Sequence, residues 1–200
     1  SMGGAVAIEA LTMTTPDPPP AAIQGVILAA PAVWGRDAMG LGQRVALWLG
    51  NALMPGLTLT GRGLKIQPSD NIEMLRALSK DPLVLKETRI DAISGLVDLM
   101  DSAQSNFARL PVATLLLYGE KDQVIPPAPV WAAIKALPRQ GFDQRAALYP
   151  EGWHMLLRDL QAERVIDDIA AWTKDPGAPL PSLADRHALE ESTRNDSETR

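Results

Sequence analysis

The sequence predicts an α/β chain, a parallel sheet with flanking helices that is interrupted by an inserted helical block. Three observations carry this expectation. Unbroken apolar runs in "GVILAAPAVW" (25–34) and "VATLLLYG" (112–119) suit strands covered on both faces. Stretches with apolar residues at helical spacing alternate with those runs. Between residues 34 and 107 the alternation stops, and helical patterns follow one another directly.

Taken in order, "GGAVAIEALTM" (3–13) has no helix breaker after Gly4 and reads as a short buried helix. "TTPDPPP" (14–20) ends it, because four prolines make a stiff extended connector. The first buried strand follows, so residues 1–33 form the first core segment. In the insertion, 34–107, three helices are expected. Leu41, Val45, Trp48, Leu49 and Leu53 mark the first, and Ile72, Leu75 and Leu78 the second. Ile90, Ile93, Val97 and Met100 mark the third. The second core segment, 108–173, returns to strand and helix: a strand at 112–119, a helix at 128–137, a strand in "RAALYP" (145–150) and a last helix at 154–173. Residues 174–200 carry ten charges, three prolines and no aromatic, valine or isoleucine residue, which predicts a disordered tail.

Composition narrows the function. A chain of 200 residues, 46% hydrophobic and 22% charged, can build one sizeable core with an insertion. Its net charge of -5 argues against a nucleic-acid partner. With no cysteine, disulfides, thiolate metal sites and a cysteine nucleophile are excluded. Only two histidines, His154 and His187, remain for base or ligand roles, and His187 lies in the polar tail.

In an open parallel sheet, ligands sit beyond the carboxyl ends of the strands. Asp122 lies three residues past Gly119, where one predicted strand stops, and His154 lies just past the strand ending near Tyr149. Ser1 opens the first helix, so the chain order is Ser, Asp, His, the order of hydrolases built on a nucleophile elbow. In G-x-S-x-G terms Gly3 is the last glycine, and glycines beside the serine let strand and helix approach closely.

"SMGGAVA" resembles the elbow of the α/β-hydrolases, most closely the branch of monoacylglycerol lipases and lysophospholipases that is grouped with serine aminopeptidases. "LLLYGEKDQVIP" is similar to that family's acid loop, with Gly119, Asp122 and Pro126 at the matching positions, and "YPEGWHMLLRD" to its histidine loop. The resemblance covers residues 1 to about 173 and places the insertion where the family carries its cap. It implies the C-terminal part of an α/β-hydrolase fold, entered at the nucleophile elbow, with the strands before the elbow and a second oxyanion donor lying outside the sequence.

What the resemblance implies chemically is a serine carboxylic-ester hydrolase for monoacylglycerol-like or lysophospholipid-like substrates, needing no metal or organic cofactor. Ser1 is then the nucleophile, His154 the general base and acid, and Asp122 the group that orients the imidazole. The backbone N–H of Met2 serves the oxyanion. Trp34, Trp153 and Met155 flank the expected site as pocket walls. Leu41, Val45, Trp48, Leu96 and Met100 are candidates for an acyl channel. Arg36, Arg62, Lys65, Lys86 and Arg89 are candidates for a phosphate head group, although a solvated face explains them equally. The expected partner is a small lipid ester, with transient membrane-surface contact through the cap and a cytoplasmic or peripheral-membrane location.

Other readings stay open at this stage. Ser-Met at a chain start also fits the remnant of a cleaved tag, and an N-terminal serine can use its own amine as base. Loop aspartates commonly satisfy backbone donors in turns, and a lone histidine can be structural. A catalytically silent lipid-binding module and an amidase or aminopeptidase of the same fold are the alternatives to the esterase.

Overall fold

Leu115, Leu116 and Leu117 are each fully buried, although neighbours on a strand must face opposite ways. Both faces of their strand are therefore covered, and the architecture follows from that. The computed structural model describes residues 1–13, 23–61, 63–138 and 143–198. The proline connector at 14–20, Arg62 and residues 139–142 lie outside the described residues.

Strands β1 (Gly25–Ala29), β4 (Ala113–Gly119) and β5 (Gln144–Tyr149) form a parallel sheet in the order β1-β4-β5. Ala29 lies opposite Leu117, and Gly119 opposite Tyr149, so the carboxyl ends share one rim. Side chains separate by alternation. Leu28, Leu116, Tyr118 and Leu148 face one cluster, and Leu115, Leu117, Ala147 and Tyr149 the other. This explains why the strands read as continuous apolar runs rather than alternating ones.

The first cluster is closed by α1 (Met2–Met13), α4 (Ile90–Asn106) and α5 (Pro127–Ala136). Ala5, Ile8 and Leu11 of α1 meet Val97, Met100 and Ala103 of α4 there, with Phe107 beside them. The second is closed by α6 (Ala162–Lys174), through Val165 and Trp172, and by Leu180 and Ala184.

Three expectations change. The insertion is not all helical: β2 (Thr58–Thr60) and β3 (Glu87–Arg89) pair antiparallel between α2 (Leu41–Leu53) and α4, with α3 (Ile72–Lys80) between the two strands. Its third helix, α4, packs into the core under the sheet, while α2 and α3 contribute no buried residue. The last helix begins at Ala162, not 154, because residues 154–161 form turns held by side-chain bonds.

Most of the expected disordered tail is ordered. Helix α7 (Ala184–Glu198) lies on β5, with Ala184 in one cluster and Ala188 in the other, so it wraps the sheet's edge. Arg145 of β5 donates to the Gly177 and Ala178 carbonyls and to Asp185, tying the segment down. Three small or apolar positions, Leu180, Ala184 and Ala188, suffice to anchor a segment that composition alone assigns to solvent.

Candidate active site

Gly119 and Gly152 bring two loops to one place. A Cβ added at Gly119 would collide with the Gly152 carbonyl, and one added at Gly152 would stand 3.0 Å from Gly119 Cα. Only residues without a side chain allow this approach. The Lys121 N–H donates to the Gly152 carbonyl at 2.9 Å, and the Glu120 and Gly152 N–H groups both donate to Tyr149 O. The loops after β4 and β5 are thus locked together by backbone bonds.

On that base Asp122 is held by both of its oxygens. Oδ1 accepts the N–H groups of Val124 (2.7 Å) and Ile125 (2.9 Å), and Oδ2 meets His154 Nδ1 at 2.8 Å. The carboxylate is fully buried, and the ring is 12% exposed. The Tyr118 hydroxyl donates to the Ile125 carbonyl at 2.8 Å, closing the Asp122 loop from beneath. Burial, then the charges of Asp122 and Glu120, raise the Tyr118 phenol above its ordinary range, so it remains a donor.

Ser1 stands at the same rim, at the mouth of α1. Its nitrogen donates to Ala29 O at 3.3 Å, and its carbonyl accepts the N–H groups of Gly4 (2.9 Å) and Ala32 (3.1 Å). Ala30 takes a left-handed backbone (φ 42°) and turns the chain from β1 beneath Ser1. The close approach falls at Gly4, where an added Cβ would lie 2.9 Å from Pro31 Cβ; one at Gly3 meets nothing within 4 Å among the described residues. Met2 opens α1, so its N–H is among those with no intrahelical acceptor.

Asp122 and His154 are therefore brought into contact, with Ser1 and Met2 on the same rim. Ser1 Oγ makes no hydrogen bond among the described residues. Of the expected pocket walls, Trp34 donates its indole N–H to Ala38 O and packs on the core, and the backbone N–H of Trp153 donates to Asp159. The Met155 N–H donates to Pro68 O. Of the channel candidates, Met100 is core and Leu96 packs against it, while Leu41, Val45 and Trp48 are exposed. Arg36 is claimed by Asp98 and Asp101, and Arg89 by Asp91. Sequence reasoning missed Tyr118 as the floor of the acid loop, and it missed the buried pair Ser69 and Asp159. The polarity of "PSDN" (68–71) beside a proline signals only a loop.

The sequence model of the family described as "Serine aminopeptidase, S33" matches residues 1–161. The chain belongs to that family. Among solved structures, it superposes on the monoacylglycerol lipase of Paleococcus ferrophilus with a TM-score of 0.69 at 23% identity, covering 86% of this chain and 65% of the other. A soluble variant of monoglyceride lipase from Saccharomyces cerevisiae, solved with a substrate analog, gives 0.68 at 16%, covering 87% and 62%. A metagenome-derived lipolytic enzyme gives 0.61 at 20%, covering 87% and 62%. The fold is that of the α/β-hydrolases, and the chain spans somewhat less than two thirds of the length of these relatives.

Proposed function

We propose that this protein is a serine carboxylic-ester hydrolase for monoacylglycerol-like or lysophospholipid-like substrates, acting through Ser1, Asp122 and His154. The single observation that carries the reading is the 2.8 Å contact between a buried carboxylate and an imidazole on the strand rim where Ser1 opens α1. With Nδ1 donating to Asp122, Nε2 is left as the acceptor. It takes the Ser1 proton as Oγ attacks the ester carbonyl, and Asp122 stabilises the resulting imidazolium. The Met2 N–H, at the positive end of α1, meets the oxyanion, a contact of the kind worth about 3 to 4 kcal/mol. Collapse expels the alcohol with the proton from Nε2. A water molecule, deprotonated by the same nitrogen, then releases the acid from the acyl-serine.

The lipid preference is supported by the fold shared with two lipases of monoacylglycerols and by the apolar face of α2. Leu41 and Trp48 on that helix are 77% and 69% exposed, and this surface is the part that would touch a membrane. No helix among the described residues is long and apolar enough to cross one. Amide hydrolysis by the same triad is the second reading, favoured by the aminopeptidase description of the family.

A fluorophosphonate probe tests the catalytic reading. Labelling of the parent that disappears in Ser1→Ala is the expected result, and a parent that resists labelling would leave a catalytically silent lipid-binding module. Turnover of a monoacylglycerol against an aminoacyl amide separates ester from amide chemistry.

A further inference from the structure

Asp159 is almost fully buried, 6% exposed, yet no cation pairs with it among the described residues. A desolvated carboxylate is costly unless its oxygens meet donors. Two donors from different parts of the chain meet this one. The Ser69 hydroxyl, itself fully buried in the insertion, donates to Oδ1 at 2.6 Å, and the backbone N–H of Trp153 donates to Oδ2 at 2.8 Å. Trp153 immediately precedes His154.

The bridge does not stand alone. The Met155 N–H, on the other side of the histidine, donates to Pro68 O at 2.9 Å. Asp70 Oδ1 accepts the Leu160 N–H at 2.8 Å, and Asn71 Nδ2 donates to Arg158 O at 3.1 Å. The Gln67 N–H donates to the Gln123 side chain at 2.9 Å, beside Asp122. Every residue from Gln67 to Asn71 thus bonds to the histidine loop or the acid loop. Asn71 also caps α3 by accepting the Met74 N–H.

We propose that Asp159 is a positioning residue for His154, and that residues 67–71 are a strap through which the inserted segment sets where the imidazole sits. The backbone is held from the insertion side before and after His154: the Trp153 N–H, one residue ahead of it, through Asp159 and Ser69, and the His154–Met155 peptide directly by Pro68. A shift of α3 is carried through Asn71 and Ser69 to the ring. An asparagine at 159 cannot do this, because its single acceptor oxygen cannot serve two donors on opposite sides.

The inference deepens the ester-hydrolase reading and rests on it for the activity readout alone. In Asp159→Asn, kcat for a monoacylglycerol falls about tenfold to a hundredfold, as expected for a misplaced base, while KM stays within about twofold. The imidazole resonance of His154, one of only two histidines, shifts in the same variant while circular dichroism stays that of the parent. Ser69→Ala cuts only the insertion side and shifts the same resonance in the same direction. Should Asp159→Asn not fold, Ser69→Ala decides. An unmoved His154 signal in the folded variants, or a loss of kcat that only tracks the unfolded fraction, overturns the proposal. If the parent turns over no ester at all, a moved His154 signal still upholds the strap and the hydrolase reading fails by itself.

Discussion

Asp122 has two oxygens with separate tasks, and Asp122→Asn separates them. The amide oxygen can still accept the Val124 and Ile125 N–H groups, so the loop keeps its shape. The amide nitrogen then faces His154 Nδ1 as a donor, which forces the ring proton onto Nε2, the atom that accepts from Ser1 in the proposed mechanism. Ester turnover should fall about 10⁴-fold, the scale for a wrong-tautomer variant of a serine triad, with a thermal midpoint close to the parent's. A large drop in the midpoint would show that the loop, not the tautomer, had failed. The candidate triad is legible in the sequence because each member sits at a fixed offset from an element end: Ser1 before a helix, Asp122 and His154 just past strands. Ser69 and Asp159 carry no such mark. Their roles come from a contact across 90 positions, and neither periodicity nor turn chemistry reports it.

Among the elements, the loops after β4 and β5 act as one piece because Gly119 and Gly152 touch. Gly119→Ala should cost about 1 to 3 kcal/mol, the range for forcing an extra methyl into a packed site, and separate Asp122 from His154. Urea unfolding reads the first effect and probe labelling of Ser1 the second. A variant as stable and as reactive as the parent would show that the two backbones can part freely. The apolar face of α2 makes a different demand. Trp48→Ser removes an exposed aromatic that no core residue needs, so stability should hold within about 0.5 kcal/mol, while co-sedimentation with lipid vesicles falls. Equal sedimentation would exclude α2 as the contact surface. Strands buried on both faces and the stripe of α4 were readable from spacing, since Ile90, Val97 and Met100 are buried as the pattern predicts. The stripe of α2 gave the helix but not its surroundings, because Leu41, Val45, Trp48, Leu49 and Leu53 all stay exposed. The β2–β3 pair was not readable, because three-residue strands with every side chain exposed have no alternation to read. Helix α7 was hidden by its charges, which solvate one side while Ala184 and Ala188 dock the other.

Across the whole molecule, each sheet face carries one buried tyrosine, and these are the chain's only two. Tyr118 anchors the acid loop; Tyr149 donates to Asp168 of α6 at 2.9 Å, and Asp168 also holds Ser182 on the way to α7. Burial first, and then the neighbouring carboxylates, raise both phenols above their ordinary 10.0. A group whose folded pKa exceeds its unfolded one contributes fully below the unfolded value and loses that contribution as pH climbs through the folded one. Stability should therefore be insensitive to these groups below about pH 9 and decline above about pH 10, where the unfolded chain releases protons that the folded chain retains. The double variant Tyr118→Phe, Tyr149→Phe starts lower at neutral pH, because two buried hydrogen bonds are lost at about 1 to 3 kcal/mol each. Its alkaline decline should be shallower by up to about 2.7 kcal/mol per pH unit, the linkage slope for two protons. Urea midpoints of both proteins across the alkaline range measure that difference, and parallel curves above pH 10 would mean that the two phenols do not couple the faces of the sheet to pH.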